Sequence, residues 1–250
     1  MRQTSDTTCL TPHCYHYVTL LCGFPRYTLN MRKPSLTAAA VLLLCLFVAI
    51  VHADDNILFS EKFDKPVGDN WQQLEFNDKT DYKVVRDKTD TNFCCLRAFA
   101  MGTCSALITK TEVAAVTNLT CTWRWKISQC PKGAGDDVIG TFDHAARILI
   151  AFDTFLGPPR TINYVWANKV ATNSVFEHPW SSRSKFIAIE TGNTKAGQWL
   201  TESRNVQADW ERLYKCPMPK IVGIGVFTYS QTTHQPTTAW YSDLALSKKE

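Results

Sequence analysis

"FDHAARILIAFD", residues Phe142–Asp153, decides how the rest of the chain is read. An acid, a histidine and an arginine lead into an aliphatic run. A strand alternates its side chains between two faces, which groups Arg147 with Leu149 and Ala151, and Ile148 with Ile150 and Phe152. Both faces are mostly apolar, so the run reads as a central strand covered on both sides, or nearly so. Arg147 at its start must then find acceptors, because a buried unpaired charge costs several kcal/mol. Asp143 is four residues away, about 13 Å along a straight strand at ~3.3 Å per residue. Either a turn folds Asp143 back, or Arg147 pairs across strands with Glu190 or Asp209, or a ligand supplies the partner.

Similar segments recur on both sides of this one. "ILFSEKF", "DYKVVRD", "NFCCLRAFA", "SALITKTEV", "LTCTWRWKIS", "ARILIAF", "TINYVWAN", "FIAIETG", "IVGIGVFTYS" and "AWYSDLALS" are short, β-rich and bounded by Gly, Pro, Asn or Asp. One segment departs from the pattern. In "VQADWERLYK", Val206, Trp210, Leu213 and Tyr214 fall at helical spacing, which predicts one short helix laid against a sheet. About ten strands and one helix predict an all-β fold, an antiparallel β-sandwich of jelly-roll type, with the first and last strands side by side.

The N-terminal part is of another kind. From Met31 the chain reads "MRKPSLTAAAVLLLCLFVAIVHA", a basic start, an uncharged run from Ala38 to Val51 and a small-residue site ending at Ala53. That is the pattern of a secretory signal peptide, and the run is shorter than the roughly 18 residues that span a bilayer. Residues 1–30 are expected to be an extension outside the native protein, 31–53 the signal peptide, and 54–250 one β-sandwich domain, secreted or periplasmic. Residues 1–53 hold four Lys/Arg and one Asp, so 54–250 carries 23 basic and 22 acidic side chains. This near-neutral balance leaves no basic stripe for nucleic acid or an anionic membrane, and no stable membrane insertion is expected after cleavage. Cys94, Cys95, Cys104, Cys121, Cys130 and Cys216 remain. An even count in an exported chain predicts up to three disulfides, and Asn118-Leu119-Thr120 is a glycosylation sequon.

Five segments taken in order, "WRWK" (Trp123–Lys126), "DHAARILIAF" (Asp143–Phe152), "INYVWAN" (Ile162–Asn168), "IAIETGNTKAGQWLTESRNVQADW" (Ile187–Trp210) and "IVGIGVFTYS…AWYSDLAL", resemble the secreted, mostly bacterial family known as domain of unknown function 3047. The likeness runs from about Leu58 to Leu246. It implies a sandwich-like extracellular or periplasmic domain and brings no established activity. Two departures stand out: Asp143-His144 where the family has paired acids, and "TYSQTTHQPTT" where it has an Asp-rich turn. Properties that depend on those acids, metal binding included, are not carried over.

The candidate ligand-binding residues are Arg124, Asp143, His144, Arg147, Tyr164 and Trp166. If Arg124, Arg147, Tyr164 and Trp166 line one sheet face, that face is a groove for a ligand. Trp123 with Trp125, and Tyr164 with Trp166, are same-face pairs able to stack on sugar rings, and equally able to fill a core. His144 is a lone histidine with no nucleophile motif beside it, read as a base or as a structural residue. Asp136 and Asp137 in the loop "QCPKGAGDDVIGT" supply too few oxygens for calcium and read as solvated acids. Glu61 and Asp243, on the first and last strands, are the candidate metal ligands for a structural calcium; no other cofactor is expected.

No strand presents the alternating acids that a glycosidase would use in a cleft. The leading expectation is a secreted, non-catalytic β-sandwich that recognises an extracellular glycan or another small ligand. Two alternatives stay open. One is a polysaccharide lyase or hydrolase, with Arg147, His144 and Tyr164 as the lyase's candidate groups. The other is a structural or protein-binding surface module.

Overall fold

The computed structural model describes residues 56–89 and 92–249. The expected extension 1–30 and signal peptide 31–53 lie outside the described residues. Among those residues the strands are β1 (Ile57–Glu61), β2 (Trp71–Asn77), β3 (Asp81–Arg86), β4 (Cys94–Ala100), β5 (Cys104–Val113), β6 (Leu119–Ile127), β7 (His144–Phe152), β8 (Arg160–Ala167), β9 (Val175–His178), β10 (Ser181–Thr191), β11 (Leu200–Asn205), β12 (Ile221–Tyr229) and β13 (Thr237–Lys248). The helix, α1, is Val206–Tyr214, where the apolar spacing predicts it.

The strands form two sheets. Sheet A runs β11-β6-β13-β4-β3, and β1 also pairs with β13. Sheet B runs β2-β5-β12-β7-β8-β10-β9. Pairing is antiparallel except between β8 and β10. The first and last strands are neighbours as expected, with Glu61 opposite Leu244. In β13 the register with β6 shifts between Ser242 and Ala245, and Asp243 there takes a left-handed φ of 51°. At this bulge β13 changes partner from β4, which it pairs over Thr237–Tyr241, to β1.

The inner faces meet in one apolar core. Trp123 and Trp125 of β6 project into it, as do Ile148, Ile150 and Phe152 of β7 and Tyr164 and Trp166 of β8. Trp123 stacks on Tyr164 with ring centres 5.2 Å apart and planes at 17°. Helix α1 covers one end, setting Trp210 against Phe152 at 4.3 Å. Asn205 caps the helix by accepting the Ala208 N–H at 2.9 Å, which satisfies one orphan donor of the first turn. Close approach of β12 to β5 depends on Gly225, where a Cβ would stand 2.5 Å from Ile108 Cγ2.

β7 is covered on both faces, as its composition predicts. A second apolar cluster lies on the outside of sheet B, built from Val165, Phe176, Phe186, Phe227 and Tyr229 together with Phe142. Among the described residues the six cysteines do not pair with one another as expected. Cys95, Cys104, Cys121, Cys130 and Cys216 are free thiols, and the first four are buried. They serve as small apolar side chains, with burial raising the Cys104 thiol to about 11 and the Cys95 and Cys130 thiols to about 12. Among the described residues no helix is long and apolar enough to cross a membrane.

Candidate functional site

The outer face of sheet B holds a pocket of about 360 Å³, within the roughly 300–1,000 Å³ usual for small-ligand sites. Its position follows from a bulge. Phe227 of β12 faces Arg147 of β7, and Tyr229 faces His144, so Ala145 and Ala146 together oppose Thr228. The extra residue brings His144 and Arg147, three apart in sequence, to the same face. The hydroxyl of Tyr241 bonds to the backbone at the irregularity, accepting the Arg147 N–H at 3.3 Å and donating to the Phe227 carbonyl at 3.0 Å.

Arg147 lies in the pocket lining and is only 5% exposed. Its guanidinium carbon is 4.8 Å from the ring centre of Phe186 and 4.7 Å from that of Phe227. Its Nε donates to Asn163 Oδ1 at 2.7 Å. Asn163 is oriented by its own amide nitrogen, which donates to Thr161 Oγ1, Ser184 Oγ and the Lys185 carbonyl at 2.9–3.0 Å. Asp143 is not the arginine's partner. Its carboxylate accepts the backbone N–H groups of Thr232 and Thr233, at 3.1 and 2.7 Å, and so fastens the loop at the pocket rim. Nor are Glu190 and Asp209: Glu190 pairs with Lys195, and Asp209 with Arg204 and Arg212.

His144 is fully buried behind the pocket. Burial lowers its pKa below the ordinary imidazole value, against the pull of Asp136. Its Nδ1 lies 2.7 Å from the Tyr229 hydroxyl, and its Nε2 is 3.3 Å from Asp136 Oδ1, close but off the direction of a hydrogen bond. Burial would raise Asp136, but His144 and the N–H groups of Asn168 and Val170 hold it below the usual carboxylate range. Asp136 is not the solvated acid its loop suggests. It is buried, and it ties down the turn after β8 by accepting from the backbone of Asn168, Lys169 and Val170.

Sequence reasoning missed most of the wall. Trp180, in the hairpin between β9 and β10, is 62% exposed; Phe76, near the end of β2, is 66% exposed. Phe142 lies against Trp180 and His178, at 6.5 and 4.9 Å. Ser181, Ser184, Gln231 and Thr232 add hydroxyl and amide groups, and Cys104 a protonated thiol. The nearest signals were the aromatic in "HPW" and the alternation of Phe227 with Tyr229. Neither says which distant strand each will meet.

Other expected site residues lie elsewhere. Tyr164 and Trp166 share a face, but it is the inner one. Tyr164 donates to Asp209 Oδ2 at 3.0 Å and Trp166 to the Gly192 carbonyl at 2.8 Å, so both are core residues. Trp123 and Trp125 are likewise buried. Arg124 is on the outer face of sheet A, paired with Asp243 at 3.4 Å and set against Phe93 and Trp199. The proposed groove of Arg124, Arg147, Tyr164 and Trp166 is therefore split among three surfaces.

Glu61 and Asp243 do not fit a calcium site. The two oxygens of Glu61 accept from the Phe63 N–H and the Trp71 indole, and Asp243 is paired with Arg124. Among the described residues no group of three or more His, Cys, Asp or Glu side chains is placed to hold a metal ion.

The chain is similar in structure to the family 11 carbohydrate-binding module of the cellulosomal cellulase Lic26A-Cel5E of Clostridium thermocellum, with a TM-score of 0.43 and 10% identity over 77% of this chain and 96% of that one. It is also similar to the xyloglucanase domain of NopAA, a type three effector from Sinorhizobium fredii, with a TM-score of 0.42 and 9% identity over 76% and 98% of the two chains. At these values neither likeness bears on what this chain binds. No curated protein matches it. The family model described as Protein of unknown function (DUF3047) matches residues 69–245, most of the chain, and the protein belongs to that family.

Proposed function

We propose that the protein is a secreted, non-catalytic glycan-binding β-sandwich whose binding site is the pocket on the outer face of sheet B. One observation carries this reading: two aromatic side chains left mostly exposed, Trp180 and Phe76, belong to the lining of a single pocket with polar groups between them. An aromatic ring left in water forgoes the burial that usually stabilises it. A sugar ring offers a flat C–H face to cover such a ring, and hydroxyls for Ser181, Ser184, Gln231 and Thr232. The lining contains no Asp or Glu, so it lacks the carboxylate pair of a glycosidase. Secretion rests on the signal-peptide pattern of residues 31–53.

A glycan array with the purified protein, followed by calorimetry and product analysis on each hit, tests the proposal. Trp180→Ala should cost about 2 kcal/mol of binding, roughly thirtyfold in Kd, as loss of an aromatic anchor does, with the thermal midpoint unchanged. Undiminished affinity in that variant would remove the pocket from consideration. Cleaved products would overturn the non-catalytic half of the reading.

A further inference from the structure

We infer that the sugar received by this pocket carries an oxyanion, a carboxylate or a sulfate ester, and that Arg147 is the group that selects it. The inference rests on the glycan reading of the same pocket and narrows its ligand class. Its basis is a charge without a counter-charge. Arg147 is 95% buried, yet its partners among the described residues are all neutral: the Tyr241 hydroxyl at its backbone N–H, the Asn163 carbonyl at Nε and the Tyr229 hydroxyl at the side chain. No carboxylate of the described residues is within ion-pairing distance. The nearest acid in sequence, Asp143, is occupied with the Thr232 and Thr233 backbone.

The geometry of the guanidinium directs this unmet charge. Phe186 and Phe227 pack against it, and the rings partly stabilise the cation. Asn163 closes the Nε edge. Its carbonyl oxygen faces Arg147 because its amide nitrogen is surrounded by Thr161, Ser184 and Lys185 acceptors. The terminal nitrogens meet only the neutral Tyr229 hydroxyl and hold the donors that remain, a planar arrangement that matches the oxygens of a carboxylate or sulfate. Thr232, also in the lining, has a buried hydroxyl oxygen with no hydrogen-bond partner among the described residues. A neutral hydroxyl could accept one bond from the terminal nitrogens and would leave the buried charge uncompensated.

The test is calorimetry of the full-chain protein against three series of oligosaccharides. The first contains galacturonate, glucuronate and mannuronate oligomers. The second is the same oligomers with each carboxyl reduced to a primary alcohol, and the third is sulfated neutral oligomers. At least one acidic series should bind at least about tenfold tighter than its neutral counterpart, and the first and third series show which oxyanion is preferred.

Arg147→Gln should abolish that preference. Because a buried arginine can be needed for folding, Asn163→Asp is the companion variant. It gives Arg147 a carboxylate of its own at nearly unchanged volume; the Thr161 and Ser184 hydroxyls can turn to donate to its second oxygen, the Lys185 carbonyl contact is lost at some cost in thermal midpoint, and the preference for acidic sugars should disappear. Equal binding of an acidic oligomer and its reduced form overturns the inference and leaves glycan binding standing. So does binding of neutral glycans alone. Absence of binding to every series and to the neutral array overturns both readings.

Discussion

The two outer faces of the sandwich both hold cations against aromatic rings, and they differ in what balances the charge. On sheet A, Arg124 lies against Phe93 and Trp199, and Lys126 against Trp199 and Trp240. Each also has a carboxylate: Asp243 for Arg124 at 3.4 Å, and Asp87 for Lys126 at 2.5 Å. On sheet B, Arg147 has two rings, an amide and the Tyr229 hydroxyl but no acid among the described residues. Sheet A's cations are satisfied internally, and nothing is left for a ligand to supply. Sheet B's cation is more deeply buried and less completely matched, in a pocket open to the outside. Rings alone do not compensate a dehydrated charge: a cation–π contact contributes about 0.5–2 kcal/mol, against several for burying the ion.

The sharpest way to break this comparison is to remove sheet A's buried acid. The Asp87 side chain is 1% exposed and that of Lys126 10%. Burial alone would raise the Asp87 pKa, but Lys126, Thr89 and Trp199 together hold it below the carboxylate range. Asp87→Ala leaves a buried ammonium and deprives the Trp199 indole and the Thr89 N–H of their acceptor. A loss of about 3–5 kcal/mol in urea unfolding is expected, with glycan binding at sheet B unaltered. If the variant is as stable as the parent, rings suffice to hold a cation here, and the case that Arg147 wants an anion loses its footing.

The sandwich, its central strand and its helix were legible in the sequence because each rests on a local period. Strands β2, β9 and β11 were not. "WQQLEFN" and "LTESRN" are largely polar strands whose side chains are mostly exposed or half-exposed, and "VFEH" is only four residues long. The site was legible in one residue. Arg147 stands out as a charge inside an apolar strand, but its surroundings depend on register. Phe227 reaches it from β12 and Asn163 from β8, and a bulge at Ala145 and Ala146 turns His144 to the same side. Alternation correctly pairs Tyr164 with Trp166 and cannot say which face is inner. That choice is made by the other sheet, through Trp123 and Trp125.

Acid sharpens the contrast with a smaller effect. Burial lowers the pKa of His144, and burial followed by the nearby Arg147 charge brings His178 to about 4. A histidine with a depressed folded pKa binds fewer protons folded than unfolded at any pH between the two values. Its stabilising contribution is complete above about 6.5 and is lost as pH falls toward about 4. Asp87 and Asp136, held below the usual carboxylate range, titrate only in stronger acid. The first loss of stability on acidification should therefore come from the sheet B face. Urea midpoints between pH 7 and 4 measure it, and His178→Gln should flatten the slope. An unchanged slope in that variant would move the acid sensitivity away from the pocket.

The smallest effect is expected from the other arginine. Arg124 and Asp243 form a pair whose side chains are 34% and 42% exposed, so water already competes with it. Exposed pairs contribute about 0–1 kcal/mol, and the contacts of Arg124 with Phe93 and Trp199 add a fraction of that. Arg124→Ala should lower stability by about 1 kcal/mol or less, with the pair's share shrinking in high salt, and should leave the affinity for acidic oligosaccharides as it was. The two arginines share a residue type, aromatic neighbours and the outside of a sheet, so this variant isolates what differs between them. If Arg124→Ala weakens binding as much as Arg147→Gln, a ligand is reading positive charge at large, and the closed state of sheet A's face is not what sets the two apart. If only Arg147 matters, the decisive property is a buried cation that the fold leaves without an acid.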